Sequence, residues 1–149
     1  MLVLVLTAVW LSLRTLNGRV PTPPHVGLTN GTFKPIADRP NWVASLDADA
    51  AHHVNPLRGN GDLELNREHL KLALVQTGGR LVREESNYFH HVFRTPLLGF
   101  VDDVEFLLPP DGHAVHVRSA SRIGHSDLGA NRRRVERIRQ AWESVDLVR

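Results

Sequence analysis

Carboxylates and arginines occupy two neighbouring segments that both alternate as strands do: Asp102, Asp103 and Glu105 in the first, Arg118 and Arg122 in the second. Because successive side chains of a strand point to opposite faces, Asp103 and Glu105 share one face and Asp102 lies on the other. Paired carboxylates can serve as general acid and base, or bind a cation. The structural alternative, which the sequence favours, is cross-strand ion pairing with Arg94, Arg118 and Arg122.

The turn after the second of these segments reads Gly-His-Ser-Asp, which contains all three residue types of a hydrolytic triad. Neighbouring residues cannot form a triad, because nucleophile, base and orienting acid must converge from different backbone directions. Ser126 or Asp127 is instead the predicted N-cap of the helix that follows, where a side-chain oxygen accepts a free backbone N–H.

These polar residues make up a candidate polar network around one junction of strand, turn and helix. Its members are Asp102, Asp103, Arg118, Ser119, Ser121, Arg122, His125, Ser126, Asp127, Asn131 and Arg134. All of them except Asp102, Asp103 and His125 are predicted to form one hydrogen-bond network that holds the last helix on the sheet.

Nine histidines raise the question of a metal site. In each of the adjacent pairs His52–His53 and His90–His91, strand geometry would direct the two rings to opposite faces, so neither pair chelates alone. A cross-strand set such as His90 with His116 lacks HExxH or a similar ligand spacing. The chain has no cysteine, which excludes disulfides, thiolate nucleophiles and Cys-rich metal sites. We predict no metal and no cofactor.

The last predicted helix carries a basic stripe: Arg132, Arg133, Arg134, Arg137 and Arg139. Such a stripe can bind phosphate or nucleic acid. Aromatic residues make up only 6% of the chain and the net charge is +2, so we expect no nucleic-acid partner. The sequence favours a solvated helix face with some inward pairing to Asp102 or Asp103, and the alternative is an anionic partner surface. The candidate partner contacts are Trp42, Arg133, Arg137 and Trp142.

Periodicity and turn signals predict the elements that position these residues. A helix is predicted over 66–77, with Asn66 as its N-cap. Four strands and a closing helix are predicted after it, over 80–85, 88–95, 100–108, 114–123 and 128–145. This order predicts an α+β two-layer sandwich, a four-stranded antiparallel meander flanked by two helices, with residues 25–56 as an extended arm around the core.

Three sequence blocks follow one another along the chain: RPNWVASLDADAAHHVNPL, TPLLGFVDDVEFLL and RSASRIGHSDLGANRRRVERIR. In these blocks, and over residues 27–142, the chain resembles the bacterial and plastid family called domain of unknown function 1499. Family members usually carry Cys where this chain has Trp42, so thiol chemistry at that position is excluded here. The resemblance implies a fold and export from the cytoplasm, but no reaction.

The chain begins with an apolar segment, residues 1–17, which has no charge from Leu2 to Leu13. This run is shorter than the ~20 residues that span a bilayer. It could be an uncleaved anchor, a removable signal segment, or an element packed on the domain. Residues 18–26 are predicted to be a proline-rich linker, and residues 27–149 a single domain.

Two features of the chain predict opposite orientations relative to a membrane. Arg14 and Arg19 follow the apolar run, and the positive-inside rule would keep that side cytoplasmic. The family resemblance implies export, and we expect a membrane-attached chain with its domain on the periplasmic side.

These features favour a non-enzymatic accessory or binding protein that docks its domain on the extramembrane face of a larger membrane protein complex. Its partners would be other subunits of that complex, and residues 1–16 would contact the membrane. The alternative is a small hydrolase or ligand-binding protein, whose side chains would have to line one concave pocket: Asp102, Asp103, Arg118 and His125.

Overall fold

The computed structural model describes residues 2–36 and 39–145, which contain three helices and eight strands. The helices are α1 (Leu2–Gly18), α2 (Leu63–Thr77) and α3 (Ala130–Ser144). The strands are β1 (Leu28–Thr29), β2 (Thr32–Phe33), β3 (Trp42–Ala44), β4 (Leu57–Arg58), β5 (Arg80–Glu84), β6 (Tyr88–Arg94), β7 (Val101–Leu107) and β8 (Ala114–Ser121).

The main sheet contains the predicted meander, because β5, β6, β7 and β8 pair antiparallel in chain order. The α+β class is therefore confirmed, but the prediction of four strands is wrong, since this sheet has six. Strands β3 and β4 both pair with the outer edge of β8. Two or three residues are too few to show an alternating pattern, so these strands form only because β8 offers unpaired backbone groups.

Helices α2 and α3 cover one face of the sheet and enclose the main core. This core includes Phe89 and Phe93 of β6, Phe106 of β7, and Leu70 and Ile138 of the two helices. The helices also contact each other directly, where the His69 ring of α2 stacks on Trp142 of α3 at a centroid distance of 4.0 Å. Apolar burial on this face is the main source of stability for the domain.

Helix α2 begins three residues earlier than predicted. Its N-cap is Asp62, whose carboxylate accepts the Leu65 N–H at 2.7 Å, so the prediction of Asn66 as N-cap is wrong. Asn66 is fully buried instead. Its side chain donates to the Gly112 carbonyl and accepts from the Asn60 N–H, each at 2.8 Å. Asn and Asp are both favoured caps, so composition alone did not separate the two positions.

Residues 20–36, here called the covering segment, lie on the opposite face of the sheet. The hairpin of β1 and β2 places Leu28 and Phe33 against Tyr88 and Leu107, which form a second, smaller apolar cluster. The covering segment includes most of the predicted linker. Both faces of the sheet are thus covered, and the fold has a third, irregular layer.

The apolar N-terminal segment forms α1, which contacts the loop between β6 and β7. Trp10 Nε1 donates to the Leu97 carbonyl at 2.6 Å, and Asn17 Nδ2 donates to the Leu98 carbonyl at 2.9 Å. Among the helices in the described ranges, none is both long enough and apolar enough to cross a membrane.

We predict that Asn66→Ala destabilises the fold more than Asp62→Ala. The first change leaves the Asn60 N–H without its partner and removes one of the two donors to the buried Gly112 carbonyl, which also accepts the Gly61 N–H at 2.9 Å, so it should cost about 2 kcal/mol. The second removes one exposed cap and should cost about 1 kcal/mol. Urea unfolding of both variants measures the difference, and equal costs would contradict a bridging role for Asn66.

Candidate functional site

Strand β7 is buried along its whole length, although it carries three carboxylates. Asp102, Asp103 and Glu105 are 2%, 1% and 1% exposed. The strand's alternation directs Asp102 toward the helices and the other two toward the covering segment. Each buried carboxylate therefore needs positive partners from its own side of the sheet.

On the helix side, Asp102 forms an ion pair with Arg134 of α3, and both side chains are almost fully buried. The second terminal nitrogen of Arg134 donates to Asn131 Oδ1 at 2.8 Å and to Ser119 Oγ at 3.2 Å. The guanidinium also lies over the Phe93 ring, 5.3 Å from its centroid. A charge-assisted network thus joins α3 to β7 and β8.

Asn131 is the centre of this helix-side network. Its Oδ1 accepts from Ser119 Oγ at 2.6 Å, and its Nδ2 donates to the Asn41 carbonyl at 2.8 Å and to Ser121 Oγ at 3.0 Å. The N-cap of α3 is Gly129, without a side-chain cap, so the prediction of Ser126 or Asp127 as the N-cap is wrong. Asp127 lies two residues before this cap, and its carboxylate accepts the main-chain N–H groups of Asn131 and Gly129. Partial burial alone would raise the pKa of Asp127, but these N–H groups lower it below its ordinary value.

On the opposite side, Glu105 and Arg118 form a buried ion pair that holds the covering segment. Arg118 Nε donates to Glu105 at 2.7 Å, and its terminal nitrogens donate to the carbonyls of His25 and Lys34. The second Glu105 oxygen accepts from the Gly27 N–H and from the Tyr88 hydroxyl, both at 2.7 Å. Burial and the Glu105 charge raise the pKa of Tyr88, so the phenol stays a hydrogen-bond donor.

Asp103 is the third buried carboxylate, and it has two partners. Arg122 donates to both of its oxygens, at 2.8 and 2.9 Å, and His90 Nε2 lies 2.7 Å away. Burial alone would raise the pKa of Asp103, but the hydrogen bonds from His90 and Arg122 hold it below the ordinary range. Arg122 also donates to the Val20 carbonyl at 2.5 Å, which anchors the start of the covering segment.

The predicted single network is therefore two networks, one on each face of the sheet. Ser119, Ser121, Asp127, Asn131 and Arg134 hold α3 as predicted. The inclusion of Arg118 and Arg122 is wrong. Arg118 in β8 and Arg122, one residue beyond the end of this strand, share a parity that directs them to the other face, where they bind the covering segment.

Two members of the candidate polar network lie outside both of these networks. Ser126 forms only a local bond, as its hydroxyl accepts the Leu128 N–H at 3.2 Å, and it does not cap α3. His125 is an exposed turn residue. The four residues of the hydrolase alternative therefore do not line one pocket. Asp102 and Asp103 form ion pairs with arginines on opposite faces of the sheet, and His125 lies apart from both.

The four candidate partner contacts differ in exposure. Arg133 and Arg137 project from the exposed face of α3. Trp42 is half-buried and stacks on His52 at a centroid distance of 4.0 Å. Trp142 is 4% exposed, and its indole N–H donates to the Arg58 carbonyl at 3.0 Å. Trp142 therefore belongs to the core and cannot contribute a partner surface directly.

The histidines differ in their hydrogen bonds and in their burial. His52 and His53 bond through Nδ1 to the carbonyls of Trp42 and Asp47. His91 lies on the helix side of the sheet, where burial lowers its pKa to about 4 and the nearby His90 adds to the effect. Over residues 2–36 and 39–145, no group of three or more His, Asp or Glu side chains is placed to hold a metal ion.

Several residues of the two networks were not predicted as site residues: Asn41, Tyr88, His90 and Glu105. The signal for Glu105 was present in the sequence, because it shares the parity of Asp103 and faces Arg118 directly in register. Asn41 precedes a strand of only three residues, and no periodic pattern marks it. Its side-chain amide donates to the Gly124 carbonyl at 2.8 Å, which fixes the turn before α3.

Comparisons with known proteins identify one family. A family model described as "Protein of unknown function (DUF1499)" matches residues 32–142, which is most of the chain. The chain therefore belongs to this family. No curated protein and no solved structure matches the chain.

We predict that Arg134→Met lowers the free energy of unfolding by about 3–5 kcal/mol, because it leaves the Asp102 carboxylate buried without a charged partner. The double variant Asp102→Leu/Arg134→Met should recover more than half of this loss, since it removes the buried charge as well. Arg133→Met is the matched control, and it should change stability by about 0.5 kcal/mol or less because Arg133 is exposed. Urea unfolding measures all three variants, and a cost for Arg134→Met no larger than that of Arg133→Met would contradict the structural role.

Proposed function

We propose that this member of the DUF1499 family is a non-enzymatic binding protein, attached by α1 to a membrane and docked on the extramembrane face of a larger membrane protein complex. The single observation that carries the proposal is the exposed apolar surface of α1. The domain would lie on the exported side of the membrane, as the family resemblance implies.

Helix α1 exposes large apolar side chains on every side. Val3, Leu4 and Leu16 are 73%, 75% and 62% exposed, and Val5, Leu6, Val9, Leu11 and Leu13 are also exposed. A helix that is apolar all round is stable only when other apolar groups surround it. The domain supplies few such groups, so a lipid phase or the apolar helices of a partner would have to supply the rest.

The length of α1 indicates how it would enter a membrane. Seventeen residues at 1.5 Å per residue make a helix of about 25 Å, which is less than the ~30 Å of a bilayer core. We therefore propose that α1 inserts partway, or lies against the membrane helices of the partner complex. Hydrogen bonds from Trp10 and Asn17 to the loop between β6 and β7 would keep the domain at the membrane surface.

The non-enzymatic part of the proposal is supported by the state of the carboxylates. General acid–base catalysis needs a carboxyl group that can exchange a proton with a substrate. Each of the three buried carboxylates forms an ion pair with an arginine and is covered by a layer of the fold: Asp102, Asp103 and Glu105. This arrangement suits a scaffold whose surfaces, rather than its interior, contact other molecules.

We predict that Leu4→Gln/Leu11→Gln moves the protein from the membrane fraction to the soluble fraction of cells, because both positions lie on one exposed face of α1. Deletion of residues 1–20 should have the same effect. Quantitative immunoblotting of the two fractions after ultracentrifugation measures the distribution.

The matched control is Leu72→Gln/Val75→Gln, which changes two exposed apolar residues of α2 and should leave the protein in the membrane fraction. A full-length wild-type chain that stays soluble and monomeric would contradict the proposed function.

A further inference from the structure

We propose that a groove between α3 and the end of β6 binds the phosphate of anionic lipid headgroups. The groove has a volume of about 860 Å³, and its walls come from α3, the end of α2 and the residues that follow β6. This inference deepens the proposed function and rests on it, because it requires the domain to lie at a membrane surface.

The charge of the groove favours an anion. Five of its lining residues are arginines, and one is acidic: Arg94, Arg132, Arg133, Arg134, Arg137 and Glu136. Glu136 forms an ion pair with Arg139, which lies outside the groove, and the charge of Arg134 is offset by Asp102. The other four arginines have no carboxylate partner among the described residues, so the groove has an excess of positive charge.

The base of the groove contains a buried hydrogen-bond donor, the Nε of Arg134. Arg134 lies at this base and is 4% exposed, with its two terminal nitrogens bonded to Asp102, Asn131 and Ser119. Its Nε is buried and has no hydrogen-bond partner within the described part of the chain. The Phe93 ring below it is also buried, so no aromatic face is available for a nucleic-acid base to stack on. The groove therefore offers arginine N–H donors and positive charge, and these are the groups with which proteins bind phosphate.

The position of the groove selects a lipid as the source of the phosphate. Arg94, which lines the groove, donates to the Gly18 carbonyl at the end of α1. Pro96 also lines the groove, and its carbonyl accepts from Arg14 of α1. The groove is thus continuous with the contact between α1 and the domain. When α1 enters the lipid phase, the four arginines without a carboxylate partner lie at the level of the headgroups, where anionic lipids attract them.

Vesicle flotation tests this inference with the full chain. Neutral vesicles consist of phosphatidylcholine, and anionic vesicles contain equal parts of phosphatidylcholine and phosphatidylglycerol. The wild type should bind anionic vesicles more tightly than neutral ones. Arg133→Gln/Arg137→Gln should lose about five-fold in affinity for anionic vesicles per arginine, or about 25-fold for the pair, and keep its affinity for neutral vesicles.

The control variant Arg58→Gln/Arg83→Gln removes the same charge from exposed positions outside the groove and should keep most of the preference for anionic vesicles. Unchanged circular dichroism and melting temperature would show that each variant is folded. If both variants lose the preference equally, or neither loses it, the groove is not the site.

The outcomes also separate this inference from the proposed function. Wild-type binding to both vesicle types with equal affinity overturns the groove inference and leaves attachment through α1 standing. Binding to anionic vesicles alone, abolished only by Arg133→Gln/Arg137→Gln, supports the groove and overturns insertion of α1 into lipid. Binding to neither vesicle type overturns the groove inference and insertion of α1 into lipid, and leaves only attachment of α1 to the membrane helices of the partner.

Discussion

The structure depends on the burial of three carboxylates in one central strand. Strand β7 lies between β6 and β8, and neither of its faces contacts water. Burying an ionised carboxylate without a partner costs several kcal/mol, so each face must receive positive charge from another element. On one side this element is α3, through Arg134. On the other side, Arg118 of β8 and Arg122, which directly follows this strand, neutralise the charge and use their remaining donors on the covering segment.

Both proposed binding surfaces are positioned by these ion pairs. Because Arg134 is held by Asp102, the face of α3 that carries Arg133 and Arg137 is directed to solvent at the groove. Because Arg122 binds the Val20 carbonyl, the chain leaving α1 is fixed two residues beyond the end of that helix. The buried charges therefore set where the apolar helix and the cationic groove lie relative to each other.

The main helices and strands could be predicted from the sequence because they are long and turn residues mark their ends. The meander from β5 to β8 and the two covering helices have clear periodicity, and the ion pairs of Glu105 and Asp103 with arginines follow from strand parity. The same parity places Arg118 and Arg122 on the face away from α3, but the prediction assigned them to the network that holds this helix, because it followed their closeness to the turn along the chain. The backbone carbonyls that these two arginines bind could not be predicted. These are the carbonyls of Val20, His25 and Lys34, which belong to a proline-rich segment without any repeating pattern.

We infer that the buried acids hold the two layers independently, one on each face of the sheet. Amide hydrogen exchange of Arg118→Met, compared with the wild type, tests it most directly. We predict faster exchange in residues 20–36, where the Gly27 N–H bonds to Glu105 and the Lys34 N–H bonds to the Gly27 carbonyl, while the amides of α3 keep their protection. Equal loss of protection in both layers, or none in residues 20–36, would contradict it.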